Sequence, residues 1–317
     1  MSNKPAAGAT ATKVGASKSG ASKAGFLLLV CLWFVWGTSW PAMRIVFTEL
    51  PIWQFRAVTC AISGVALLLI GLAVKQRWRV PRRHWGALAG ASLFNMTLWH
   101  VLVGYGLFYI GAGHAAIIVY TLPVWTAILS VLFLKESMSW RTILALIFGM
   151  AGVLVLLSSD FEQIGTNPIG AVFILGAAIS WAIGTIIVKR VQWTTDLYAL
   201  AGWQLLIGLV PIAVIAFATE RFTMHEASPQ AIWAGLYVLF FGLIAGYALW
   251  FKIIEILPVT IASIGALMIP VIGVASGALI LGEPVTWIEG MALLLVLGAV
   301  GLILFGQPRR KGSSAAE

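Results

Sequence analysis

His100 stands in the apolar run from about residue 85 to 109, with Asn95, Trp99 and Tyr105 beside it. An imidazole with an ordinary pKa of about 6.5 can exchange a proton near neutral pH. His100 is therefore a candidate proton carrier, or else a neutral histidine bonded to a neighbouring helix; Asn95 and His100 are not at i, i+4 spacing and do not pair locally. Another apolar run carries Thr38, Trp40 and Pro41. The proline removes a backbone donor, which leaves a carbonyl free to face a ligand or cation, or serves only a packing kink. Further runs present Tyr120 with Trp125, Trp181 with Ser180 and Thr185, and Tyr247 with Trp250. A charge at the centre of an apolar helix costs about 2.5–3.5 kcal/mol on insertion scales, so ionisable and polar groups in such runs need a partner or a wet cavity. Trp36, Trp40, Trp99 and Trp181 lie near the middles of their runs, away from the interfaces where tryptophan anchors helices. Rings so placed either pack between helices or wall a cavity that takes flat or aromatic solutes. The candidate cavity residues are Thr38, Trp40, Asn95, Trp99, His100, Tyr120, Trp125, Trp181 and Tyr247. Arg44 and Arg56, around the first loop, could attract a carboxylate, but snorkelling to headgroups or pairing with Glu49 is the preferred reading.

The elements that position these residues follow from composition. Of 317 residues, 61% are hydrophobic and 10% charged, which describes an integral membrane protein. Ten apolar runs have about the length needed to cross a hydrocarbon core, at roughly 25–46, 52–74, 85–109, 112–134, 141–158, 169–189, 197–217, 231–254, 258–281 and 287–305. They are expected to be helices, because backbone groups in lipid must bond within their own segment. With the N-terminus in the cytoplasm, 17 of the 20 Lys and Arg residues fall on that side. The positive-inside rule thus gives ten spans with both termini cytoplasmic, and the net charge of +9 reports topology, not a nucleic-acid surface. Residues 1–24, rich in Ala, Gly, Ser, Thr and Lys without an acid, are expected to form a disordered cytoplasmic tail, and 306–317 a second tail. Cys31 and Cys60 fall in apolar runs and read as small buried hydrophobes.

The chain repeats itself. YTLPVWTAILSVLFLKESMSW from Tyr120 to Trp140 matches MIPVIGVASGALILGEPVTW from Met268 to Trp287, and Pro123 with Pro270, Glu136 with Glu283 and Trp140 with Trp287 are each 147 residues apart. The interval holds five spans, an odd number, so the second half enters the membrane in the opposite sense. The fold expected is all-α, two inverted five-helix repeats at 25–158 and 169–305. Inverted halves suit alternating access around a midplane site. The matched residues, Pro123, Pro270, Glu136 and Glu283, read as framework or gating elements, each Glu capping the helix that begins just after it.

The segment WGTSWPAMRIVFTELPIWQFR, from Trp36 to Arg56, together with the two proline-to-glutamate stretches, resembles the EamA-type ten-helix members of the drug/metabolite transporter superfamily. One departure is Lys135, where a glycine normally precedes the glutamate, as Gly282 does in the second copy. The resemblance implies a transporter, usually an exporter of amino acids, related metabolites or drugs, with a central cavity between its halves. Bacterial aromatic amino-acid exporters look like near neighbours.

No GxxxxGK[ST], H-E-x-x-H or cysteine cluster is present, so no ATP hydrolysis, metal or other cofactor is expected of this chain. Transport would run on the solute's gradient or on coupled protons. The expected partners are a small-molecule substrate and the lipid bilayer of the cell inner (cytoplasmic) membrane. Close helix approach at Gly86/Gly90, Gly242/Gly246 and Gly273/Gly277 implies no oligomer. Uptake of a small metabolite or vitamin through the same fold is the alternative to export, and a membrane enzyme or scaffold subunit stands behind both.

Overall fold

The computed structural model describes residues 18–158, 168–220, 227–282 and 287–305. Among these the chain is helical and forms no strand. In order, the helices are α1 (Lys18–Gly37), α2 (Ser39–Glu49), α3 (Ile52–Ala73), α4 (Trp85–Ser92), α5 (Trp99–Val119), α6 (Leu122–Leu129) and α7 (Trp140–Ser158). The second half holds α8 (Pro168–Arg190), α9 (Leu197–Thr219), α10 (Pro229–Tyr237), α11 (Gly246–Ile256), α12 (Val259–Gly265), α13 (Met268–Leu281) and α14 (Trp287–Phe305). Leu93–Leu98, Ser130–Leu134 and Val238–Ala245 are π-helical and continue the helices that flank them. Seven helical stretches are long and apolar enough to cross a membrane, and Leu122–Leu134, Trp140–Val155 and Gly290–Leu302 are shorter apolar helices. α1 begins at Lys18, inside the stretch whose composition suggests a tail; its Ala and Lys residues are good helix formers.

Large apolar side chains cover the outside of the bundle, with Leu279 88% and Phe108 80% exposed. That is the inverse of a water-soluble surface and fits contact with lipid tails. Cys31 is also on this surface, contrary to the buried position expected of it, while Cys60 is buried.

Helix pairing follows the repeat. α3 packs on α9 and α7 on α14, each helix against its counterpart one repeat away. α5 packs on α8, and the corresponding pair from the other half is α11 on α1. Likewise α6 lies on α8, and α13 on α1 and α2. Exchanging the halves therefore leaves the packing scheme unchanged.

Helix ends are held by side chains from across the bundle, since the first N–H groups of a helix have no partner within it. Trp53 and Gln54 N–H, opening α3, donate to the carboxylate of Glu220 at the end of α9, at 3.0 and 2.8 Å. At the other end of the same pair, Tyr198 N–H in α9 donates to Gln76 Oε1, at 3.2 Å. Ser228, the N-cap of α10, donates its N–H and hydroxyl to Glu49. Asp196 accepts the Arg77 N–H at 2.8 Å and pairs with its guanidinium at 3.2 Å. These contacts, the backbone bond first, hold the Asp196 carboxyl below the usual carboxylate range.

Candidate functional site

Three interruptions of the helical ladder converge on one cavity. α1 gives way to α2 at Thr38, α5 to α6 at Tyr120–Thr121, and α12 to α13 at Ala266–Leu267. Each break precedes a proline, and each proline lacks the N–H that would bond the carbonyl four residues back: Pro41 toward Gly37, Pro123 toward Val119, Pro270 toward Ala266. The last two breaks are near copies. Thr121 N–H closes onto Ile118 O at 3.1 Å, and Leu267 N–H onto Ile264 O at 3.1 Å. Residues at all three breaks line the cavity: Ser39 and Trp40, then Val119, Tyr120 and Leu122, then Ala266 and Ile269.

The π-helical turns Leu93–Leu98 and Val238–Ala245 also correspond across the repeat. A π turn frees a carbonyl from its usual partner. Ser180 Oγ in α8 donates to Phe94 O at 2.6 Å, and Trp36 Nε1 in α1 donates to Gly242 O at 2.9 Å, so each freed carbonyl is taken by the opening helix of the other half. The residues that follow, Trp99 and His100 in one half and Tyr247 and Trp250 in the other, face the cavity.

The cavity measures about 130 Å³ and is predominantly apolar. Its aromatic wall is continuous. The Trp36 ring centroid lies 5.8 Å from Trp181, 6.2 Å from Tyr247 and 5.9 Å from Trp250, and Trp99 lies 4.8 Å from Trp181. Polar atoms are few. His100 is buried, with Nδ1 3.1 Å from Met96 O in its own helix.

Of the residues proposed from sequence, Trp40, Trp99, His100, Tyr120, Trp181 and Tyr247 come together on this wall. Thr38, Asn95 and Trp125 are not among the lining residues. Thr38 Oγ1 is spent on Phe34 O and Tyr237 OH. Asn95 is seated against Gly184 and donates to Gln204 Oε1 at 3.1 Å, knitting the π turn to α8 and α9. The Trp125 indole donates to Thr121 Oγ1, four residues back.

Arg56 is a correction. It neither snorkels nor pairs with Glu49, which binds Ser228; it is 6% exposed and lines the cavity from the first turns of α3. The partner of Glu136 is a second correction. Its carboxylate does not cap the helix just after it but accepts Val259 N–H at 3.0 Å and Thr260 N–H and O–H at 3.4 and 3.0 Å, capping α12 in the other half. Glu283 lies outside the described residues. Lys135, despite its side chain, takes the left-handed conformation (φ 55°) that Gly282 takes at the matching position (φ 70°), so the atypical residue keeps the same turn. Among the described residues no group of acids, histidines and cysteines could hold a metal ion.

Comparison with known proteins adds to this geometry. The profile of the EamA-like transporter family matches twice, over residues 23–158 and 168–305. The chain is 29% identical to the uncharacterized transporter YvbV of Bacillus subtilis, over 87% of this chain and 90% of that one. It is also 29% identical to the uncharacterized inner membrane transporter YedA of Escherichia coli, over 89% and 91% of the two chains. One solved structure superposes with a TM-score of 0.76 over 88% of this chain and 96% of its own, at 18% identity, a likeness of fold alone.

Proposed function

The chain belongs to the EamA-like transporter family in both halves and is a multi-pass membrane transporter; from this we propose that it is a secondary transporter of the cell inner membrane that exports small metabolites, aromatic amino acids or related compounds, by alternating access. The observation that carries this reading is the convergence of three proline-linked breaks, two of them repeat-related, on one aromatic-walled cavity. Interrupted helices in corresponding positions of two halves are where transporters bind their solutes. In this reading the seven long helices and three shorter ones make ten spans, with the termini in the cytoplasm where the basic residues gather. His100 is the lining side chain whose ordinary pKa lies nearest neutrality, and the proposal gives it the coupled proton.

Flux in proteoliposomes tests this. Vesicles with the protein should accumulate a solute from a panel of amino acids and related metabolites faster than empty ones, and equal flux across the whole panel would sink the reading. Reversing the solute gradient separates export from uptake. His100→Gln should abolish the dependence on a pH gradient while solute binding persists; unchanged dependence would remove the proton from the proposal.

A further inference from the structure

Among the described residues Arg56 is the one charged side chain of the cavity wall, and none of them supplies it a counter-ion. Its Nε makes no hydrogen bond, and no carboxylate among the described residues forms an ion pair with its guanidinium. The Phe47 ring lies beside it, with its centroid 5.5 Å from Cζ. A guanidinium does not shed its proton to escape burial, and an unpaired buried charge costs several kcal/mol. Something that enters the cavity has to answer that charge.

The lining sets what the entrant can be. Among the described residues it contains no Asp or Glu. An ammonium group would thus find no carboxylate to pair with and would share a small space with a like charge. A carboxylate matches the planar donor fork of arginine and forms short, charge-assisted bonds with it. Much of the remaining wall is indole and phenol, with aliphatic side chains between them, which favours a ring held edge-on or by offset stacking. A volume of about 130 Å³ is slightly below that of the engineered apolar cavity of about 150 Å³ that holds benzene, so the conformation seen limits the solute to about one ring.

We infer that the transported solute is a small aromatic carboxylate that lacks a compensating amine, and that Arg56 is its anion-binding residue. This rests on the transport reading above and narrows it, because it sets the free acid ahead of the zwitterionic amino acid with the same ring.

A matched series separates the groups: 3-phenylpropanoate carries the carboxylate alone, phenethylamine the ammonium alone, and phenylalanine both. Binding to the purified full chain can be followed by quenching of its tryptophan fluorescence. The acid should bind at least tenfold more tightly than either of the others. Arg56→Gln should weaken the acid at least tenfold and, by removing a like charge, strengthen phenethylamine, and Arg56→Lys should recover part of the acid's loss. The inference is overturned if phenylalanine or phenethylamine binds as tightly as the acid, if none of the three binds, or if a folded Arg56→Gln protein keeps its affinity for the acid. Should Arg56→Gln fail to fold, the ranking on the unmodified protein decides. Flux of other solutes alongside a flat series would leave transport standing and this inference fallen. Arg56-dependent binding without flux of any solute would leave Arg56 as an anion-binding residue but overturn the transport reading and, with it, the claim that the acid is transported.

Discussion

Replacing Glu136 by alanine should cost the fold about 2–3 kcal/mol, because one carboxylate holds the first turn of a helix 123 residues away. It accepts Val259 N–H at 3.0 Å and the Thr260 hydroxyl at 3.0 Å, with a weaker contact to Thr260 N–H at 3.4 Å. Hydrogen bonds to a charged group contribute roughly 1.5–3 kcal/mol each when buried, and a cap removed from an exposed helix end costs about 0.5–2 kcal/mol. Glu136 is half-buried, so water recovers part of the loss and the total falls between those limits. At about 2–4 °C per kcal/mol, the usual conversion for domains somewhat smaller than this chain, the melting midpoint in detergent should drop by about 4–12 °C. Glu136→Gln keeps one acceptor oxygen and should lose less than half of that. A double-mutant cycle with Thr260→Ala should return a coupling of about 1 kcal/mol, since that substitution removes the one side-chain bond between the two residues. An alanine variant melting within 1 °C of the parent, or a cycle with no coupling, would refute the clamp.

Other perturbations read single features. Gly282→Ala should lose about 1 kcal/mol from its left-handed backbone alone, because nothing lies within 4 Å of the added methyl; Lys135→Gly should gain about half as much, and thermal melts compare the two. The Asp196 carboxyl is depressed in the folded state below its unfolded value of about 3.9, so its contribution is present above that pH and is lost as pH falls through the folded value. Asp196→Asn should therefore melt below the parent at pH 7, and the gap should narrow progressively in melts run at pH values below that unfolded value. A methyl on Gly246 would meet the Trp36 ring, its Cδ1 at 2.8 Å, whereas one on Gly86 meets nothing within 4 Å. Gly246→Ala should cost about 1–3 kcal/mol and weaken cavity ligands, while Gly86→Ala should be neutral or stabilising by up to about 1 kcal/mol.

The break at Pro41 was legible because proline leaves a carbonyl without its donor; Pro123 and Pro270, tied together by the interval of 147 residues, read as framework or gating elements inside single spans, and the breaks beside them emerge only in the structure. The π turns were not legible either, since Leu93–Leu98 and Val238–Ala245 read as ordinary apolar helix and only the partner taking the freed carbonyl reveals them. Thr38 and Trp125 had local signals. A hydroxyl one turn beyond a carbonyl commonly bonds back to it, as Thr38 does to Phe34 O, and Thr121 stands ready four residues before Trp125. Asn95 found its partner Gln204 through the packing of three helices, which no local spacing encodes. Arg56 escaped for the same reason. Its place near a span end fits snorkelling as well as burial, and only the assembled wall shows that no acid meets it.

Symmetry and asymmetry divide the labour of this fold. The breaks, the π turns and the pairing of helices survive exchange of the halves, so the framework supplies two near-equivalent arrangements, which is what alternating access requires. The wall does not survive it. Trp36, Trp40 and Trp250 stand opposite Ile183, Ile187 and Val103 in the repeat, and Arg56 opposite Trp203. Trp99 has Gly246 as its counterpart, and that glycine leaves the space into which Trp36 packs. The cavity is thereby drawn off the axis, with the indoles and the lone guanidinium on a wall that neither half could build twice. A symmetric wall would present two cations or none. On the proposed reading, one cation among rings recognises a solute that itself has two unlike ends, which puts selectivity in the residues where the repeat has diverged and movement where it has not.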